Sequence, residues 1–354
     1  MSKHEVNPLI SVCIPTYNNA QYIGKTLESI INQTYNNIEI VVSDNASTDD
    51  TERVVKSFRD KRIKYYKNKT NVGCYNNYNE CLNKISASYV AFYHSDDVYK
   101  PDIVEKEFKM LMKNPDVGIV FTLDEVINGE GNDIKNAGVS LPAELEGKAS
   151  YGFYELYSAL LKAGGSFLIC PTLMARKEVF GKVGLFQVTT DLAEDTKMWL
   201  RIAEKYKIGV LNERLIKRRI SFVQGSYRYE SSRVGRADHF VVLDGFMQSK
   251  ALCGKQIEES VLEQYHFNKF WDDVIIAKNM IALGKNKEAK KLLLSNLSAE
   301  KYKIGVRHLK NIYKLLLYNL FLVTAYCNVA GYAINTFSFI KRKLDFSKSG
   351  RCIC

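Results

Sequence analysis

The segment Tyr89-Val-Ala-Phe-Tyr-His94-Ser95-Asp96-Asp97-Val98-Tyr99-Lys100-Pro101 decides how the chain is read. Its first five residues are apolar or aromatic and fit a buried strand, and Pro101 then opens an amphipathic helical pattern. Two adjacent carboxylates, Asp96 and Asp97, stand at the junction. In open α/β sheets ligands gather outside the carboxyl ends of the strands. Hard carboxylate oxygens suit Mg2+ or Mn2+ bridging the phosphates of a nucleotide. A polar turn capping the next helix accounts for the same residues without any ligand.

Working outward, the same alternation of strand and helix runs from Leu9 to Leu123. Strands are predicted at Ile10–Ile14, Ile38–Val42, Ile63–Tyr66, Tyr89–Tyr93 and Val117–Phe121, with helices at Tyr22–Ile31, Thr51–Phe58, Tyr75–Ile85 and Ile103–Met112. A β-α repeat of this kind implies an α/β fold with a largely parallel sheet. Its strand-to-helix junctions are where a ligand would lie. The first, Pro15-Thr16-Tyr17-Asn18-Asn19, offers a rigid turn, a hydroxyl and an aromatic ring able to stack on a base. The second, Ser43-Asp44-Asn45-Ala46-Ser47-Thr48-Asp49-Asp50, contains Ser47 and Asp50 at the spacing of a capping box. It leaves Asp44 at a strand's carboxyl end, where a carboxylate can accept the imide hydrogen of uracil. Asn71-Val72-Gly73 is a turn that needs positive φ at the glycine.

These junctions, Ser11–Asn19, Ser43–Asp50 and His94–Asp97, together with Cys170-Pro171-Thr172, Arg176-Lys177, Val183–Phe186 and Ala193-Glu194-Asp195 leading to Met198–Arg201, resemble the family 2 glycosyltransferases of GT-A fold. The motifs keep the family's order from about Leu9 to about Ser226, roughly two-thirds of the chain. The resemblance implies that Pro15, Thr16 and Tyr17 line a uridine pocket, that Asp44 contacts the uracil, that Asp96 approaches ribose or metal, and that Asp97 holds Mn2+ or Mg2+ on the diphosphate. Many relatives carry an acid where this chain has His94, which is read here as a packed or ribose-facing side chain ahead of a second metal ligand. The family's base is the Asp of the Glu-Asp pair, here Asp195, which takes the acceptor hydroxyl's proton during single displacement. Acidic residues complementing the dipole of a helix's first turn are the structural alternative for the same pair. Where relatives read Arg-x-His, this chain has Arg219-Ile220-Ser221. Arg218, Arg219 and Arg228 are the basic groups near a departing diphosphate, or else a solvated strand edge.

Composition bounds the rest. With 46% hydrophobic and 25% charged residues, the 354-residue chain is globular and long enough for two domains. The expected division is a nucleotide-sugar-binding catalytic domain at 1–235 and a helical region at 236–354. A formal charge of +11 favours nucleic acid, anionic membrane or phosphorylated substrates. Nucleic acid is disfavoured because the acids cluster at strand ends, where phosphate is repelled. A nucleotidyltransferase should show a glycine-rich basic loop after the first strand, and Pro15-Thr16-Tyr17-Asn18 is not one. A silent glycan-binding domain stays open, because His94 and Ser221 depart from the family pattern. The eight cysteines show no zinc-ligand spacing. Met1–Asn7 lacks a signal peptide's apolar core, so the cytoplasm is expected. Asn128–Lys148 is expected to be a surface loop. Phe267–Leu283 and Lys287–Leu294 are expected helices. Uncharged Leu315–Ile340, flanked by Lys and Arg, suits either a helix lying in a membrane interface or a buried one packed on the catalytic domain. The partners implied are a UDP-sugar donor and a glycan or lipid-linked acceptor, with peripheral membrane contact through the carboxyl-terminal helices.

Overall fold

A computed structural model of the chain describes residues 7–190, 192–220, 229, 232–296, 305, 306 and 309–326. The chain divides into two compact units, residues 1–156 with 168–220, and residues 157–167 with 221–354. In chain order the first contains β1 (Ile10–Thr16), α1 (Ile23–Ile31), β2 (Ile38–Asp44), α2 (Thr51–Ser57), β3 (Ile63–Lys67), α3 (Cys74–Lys84), β4 (Tyr89–Phe92), β5 (Val98–Tyr99), α4 (Ile103–Lys113), β6 (Val117–Ile127), β7 (Asp133–Ile134) and β8 (Ser150–Tyr151). It continues, after α5 (Phe153–Ala163), with β9 (Leu173–Arg176), α6 (Lys177–Val183), α7 (Glu194–Ala203) and β10 (Lys207–Arg219).

The strand order is β3-β2-β1-β4-β9-β6-β10-β5, with β7 on β6 and β8 on β10. Pairing is parallel from β3 through β4 and between β6 and β10, while β9 runs antiparallel to both β4 and β6. Hence β1, β2, β3, β4, β6 and β10 all point one way, and the ends at Thr16, Asp44, Phe92 and Arg219 share an edge. Apolar residues three and four apart tie the helices to the sheet: α1 buries Ile23, Leu27 and Ile30, and α4 buries Ile103, Val104, Phe108 and Leu111. They pack on Val12, Ile14, Ile40, Val42 and Ala91 of the sheet. Full burial of each such side chain contributes about 1.5–3 kcal/mol.

The capping box does not form, because α2 begins at Thr51 and Asp50 is its N-cap rather than its third residue. The Ser47 hydroxyl instead accepts the Asn18 N–H (2.8 Å), and Asp49 Oδ1 takes the Thr51 N–H (3.0 Å). Residues 128–148 are also more than a surface loop. They include β7, and bury Ala137, Val139, Leu141 and Leu145. Gly73 has the positive φ its turn needs, at 86°.

Glu39 is a buried acid in β2, and it is fully partnered. Its carboxylate accepts from Ser11 Oγ, from Ser86 N (3.0 Å) and Oγ (3.1 Å), and from Lys64 Nζ (2.6 Å). Burial pushes this carboxyl up, but the Lys64 ion pair and the serine hydrogen bonds together outweigh it and hold the group at about 2. A depressed carboxyl adds stability above its unfolded value, and that stability disappears as pH falls through the folded one. Unfolding followed by circular dichroism is therefore expected to show a melting temperature that drops between pH 4.5 and about 2 more steeply in the wild type than in Glu39→Gln.

The second unit contains α8 (Asp238–Gly245), α9 (Glu259–Ala282), α10 (Asn286–Ser295) and α11 (Leu309–Tyr326). α9 and α10 cover the expected helices. Phe267, Phe270, Val274, Leu293, Tyr318 and Phe321 form its core. A buried ion pair joins Arg233 to Asp272 at 2.6 Å, and Asp272 also accepts the Ala237 N–H (3.1 Å). Of the uncharged segment 315–340, α11 carries residues to 326 and the remainder lies outside the described residues, as do Ser221 and Arg228. Among the described residues no helix is long and apolar enough to cross a membrane.

Candidate functional site

The acid turn is held between two strands. β4 ends at Phe92, and β5, immediately after Asp97, pairs antiparallel with β10, Val98 opposite Lys217 and Tyr99 opposite Ile216. This register brings Arg219 onto the turn. Its backbone N–H donates to Asp97 Oδ1 (2.7 Å), and its Nε donates to the Asp96 carbonyl (2.9 Å). Its Nη1 donates to the Asn128 and Gly129 carbonyls (2.8 and 3.1 Å), and the guanidinium lies 4.4 Å from the centre of the Tyr22 ring. Arg219 is 3% exposed, so these bonds are made out of water, where each is worth more. Arg219→Ala is expected to lower the unfolding free energy by about 2–4 kcal/mol, read by denaturant titration, because buried carbonyls lose their donor. Arg219→Lys, which keeps the charge but not the fork, is expected to fall between.

What this clamp presents is an incomplete acid. Asp97 is 1% exposed, and among the described residues its Oδ2 is buried without a hydrogen-bond partner. Burial first and the Asp96 charge second push its carboxyl well above the usual range, against the pull of Arg219 and Arg218. One donor atom from each of His94, Asp96 and Asp97 lies within 4.8 Å of the others. A buried oxygen lacking a partner, beside a second carboxylate and an imidazole, is a donor set that fits a divalent cation. Arg218 flanks the set, its Nε donating to the fully buried Asp124 (2.8 Å). The His94 imidazole is driven down by burial, against the Asp96 charge.

The two preceding strands end beside each other, Thr16 opposite Asp44 in the register of β1 and β2. Thr16 Oγ1 is buried and, among the described residues, without a partner, while Tyr17 is 49% exposed. Pro15 lies in β1 and is half-buried. Asp44 is 0% exposed: Oδ1 accepts the Ser47 N–H (2.7 Å) and Oδ2 the Tyr65 hydroxyl. In this structure Asp44 thus holds its own turn together, and burial together with its charge raises the Tyr65 phenol. Asn19 links this region to the acid turn, its Nδ2 donating to Ser95 Oγ (2.6 Å).

Asp195 stands in the first turn of α7, 3% exposed, its Oδ1 accepting the Thr196 N–H (2.5 Å). Its neighbour Glu194 accepts at Oε1 the N–H groups of Thr189 (2.7 Å) and Thr190 (2.9 Å) and both hydroxyls. The amino end of α3 connects Asp195 to the acid turn. Cys74, its first residue, has its thiol pushed up to about 11, by desolvation of the sulfur and then by the Asp195 charge. One helical turn on, Tyr78 feels Cys74, and its hydroxyl is hydrogen-bonded to His94 Nε2. Sequence reasoning passed over Cys74, Tyr78 and Asp124. The i, i+4 spacing of Cys74 and Tyr78 was the available signal for the first two.

The family model described as glycosyl transferase family 2 matches residues 11–184. An uncharacterised glycosyltransferase of Rickettsia prowazekii is 31% identical over 226 residues, 63% of this chain and 68% of that protein. The chain belongs to glycosyltransferase family 2. A further relative of this glycosyltransferase is the Escherichia coli UDP-Glc:alpha-D-GlcNAc-diphosphoundecaprenol beta-1,3-glucosyltransferase WfgD, 28% identical over 226 residues, 64% of this chain and 79% of WfgD. Among solved structures, Staphylococcus aureus TarS 1–349 in complex with UDP-GlcNAc superposes with a TM-score of 0.57 at 18% identity, covering 94% of this chain and 92% of that one. The mannosyltransferase PcManGT of Pyrobaculum calidifontis, in complex with GDP-Man and Mn2+, gives 0.53 at 18% identity, over 94% and 88%. At such identity the likeness concerns the fold, and the enzyme is a GT-A glycosyltransferase with a helical carboxyl-terminal region.

Proposed function

We propose that this glycosyltransferase is an inverting, metal-dependent enzyme that moves a sugar from a UDP-sugar to a hydroxyl of a glycan or lipid-linked oligosaccharide in cell-surface polysaccharide synthesis. The observation that carries the reading is the buried Asp97 carboxylate, one oxygen fixed by Arg219 and the other without a partner beside Asp96. Asp97, with Asp96, would hold Mn2+ or Mg2+. A divalent cation there supplies charge neutralisation for the diphosphate leaving group. The unpaired Thr16 hydroxyl and the exposed Tyr17 ring, with Pro15 and Asp44, are the uridine-binding group, within a catalytic module of residues 1–235. Asp44, its oxygens already accepting two bonds, has lone pairs left for one imide hydrogen.

Asp195 is the base. It is buried in the first turn of α7 beside Cys74, at the position where the family resemblance puts the base, whereas Oε1 of Glu194 accepts from the Thr189–Thr190 loop. With Asp195 the one candidate base among the described residues, the family resemblance carries direct displacement and inversion at the anomeric carbon. The UDP-sugar and lipid-linked acceptor in the name of WfgD, the UDP-GlcNAc of the TarS complex and the Mn2+ of the PcManGT complex support donor class, acceptor class and cation. A cytoplasmic enzyme reaching such an acceptor works at the inner face of the membrane, through peripheral contact of its helical region.

The test is a panel of UDP- and GDP-sugars with Mn2+, following nucleotide release and reading the anomeric configuration of the product by NMR. Release from a UDP-sugar with an inverted product is expected. Preference for GDP-sugars, or a retained configuration, contradicts the reading.

A further inference from the structure

His94 has its Nε2 engaged by the hydroxyl of Tyr78, a residue that is 3% exposed. Its ring is held edge-on to Tyr78, with centroids 6.1 Å apart and planes at 69°. The same hydroxyl lies 3.6 Å from Cys170 Sγ. An imidazole has two nitrogens, and the bond made by one fixes what the other can do. If Tyr78 donates to Nε2, then Nδ1 carries the proton and is only a donor. If Nε2–H donates to the Tyr78 oxygen, which also accepts from the Cys170 thiol, Nδ1 keeps a lone pair for a cation. Ligating histidines typically donate their other N–H to a fixed acceptor, and Tyr78 is placed as one. The acid turn supplies the second half of the argument: a nitrogen of His94 is within 4.8 Å of oxygens of Asp96 and Asp97, and Asp97 Oδ2 is buried without a partner.

We propose that His94 is a ligand of the cation through Nδ1, in place of the acid common at this position, and that Tyr78 is the positioning residue that fixes its tautomer. The sequence alone ranks this role behind a packed or ribose-facing one. The proposal rests on the metal-dependent reading of the same site and adds its ligand chemistry. One imidazole among carboxylates moves preference from Mg2+ toward Mn2+, Co2+ and Zn2+, following ligand softness and the Irving–Williams order.

The experiment uses the intact chain with Mn2+ alone and then with Mn2+ and UDP. Electron spin echo modulation reads nitrogen nuclei coupled to bound Mn2+, and titration calorimetry reads affinity. The wild type is expected to show imidazole nitrogen coupling. His94→Gln loses it and binds Mn2+ about 10–100-fold more weakly, while Tyr78→Phe keeps the coupling with affinity reduced about tenfold. His94→Asp, which restores a carboxylate, regains Mn2+ binding without the nitrogen signal and narrows the preference over Mg2+. Mn2+ that binds in an Asp97-dependent manner, with no nitrogen coupling and no response to His94→Gln, overturns the His94 assignment alone. No Mn2+ binding, or binding indifferent to Asp97→Asn, overturns the metal-dependent reading and this inference with it.

Discussion

Asp195→Asn is expected to lower kcat by about 10²–10⁴-fold, the usual worth of general-base assistance, while leaving the affinity for UDP unchanged. The amide keeps the shape and can still accept the Thr196 N–H, so the fold of α7 is preserved while the proton acceptor is removed. Glu194→Gln gives the contrast. Its carboxylate accepts four bonds from Thr189 and Thr190, so the loss falls on stability and the order of that loop. A steady-state comparison of the two variants, with melting temperatures, separates them. A small kcat effect in Asp195→Asn with a fall in melting temperature would leave the residue as a helix-start acid complementing the dipole.

Asp97→Asn is expected to abolish metal-dependent UDP binding and reduce transfer by about 10³-fold or more, since a cation at a leaving diphosphate supplies several kcal/mol of charge stabilisation. The effect on the free protein runs the other way. A buried carboxyl that burial and Asp96 push upward is a poor anion, and the neutral amide retains an oxygen to accept the Arg219 N–H. The melting temperature of the variant without metal is therefore expected to match or exceed that of the wild type. Mn2+ with UDP stabilises the wild type only, by an amount that grows with ligand excess.

The residues that could be read from sequence are those whose chemistry is written into local pattern. Tyr89–Tyr93 followed by Asp96-Asp97 announces a buried strand ending in acids, because an apolar run cannot turn into carboxylates without reaching solvent or a ligand. The β-α alternation gave the shared strand edge, and Gly73 announced its own turn. Partners set by register were not legible. Arg219 meets Asp97 across 122 positions only because β5 pairs with Ile216 and Lys217 of β10, and nothing in Lys217-Arg218-Arg219 distinguishes a clamp from a solvated edge. Ser47 fits a capping box by spacing, yet its hydroxyl is taken by the Asn18 N–H from the neighbouring loop, a tertiary bond overriding a local one. His94 looked like a missing acid. Its meaning depends on Tyr78, sixteen residues earlier on another element. Val139 and Leu141 have no periodicity that separates them from an exposed loop, although both are buried.

The central claim is that the Asp97 turn binds a nucleotide diphosphate through a cation. Calorimetric titration of UDP into the intact chain, with Mn2+ and then with chelator, in the wild type and in Asp97→Asn, tests it most directly. The account predicts binding that requires Mn2+ in the wild type and is lost in the variant. Equal UDP affinity in all four titrations would contradict it.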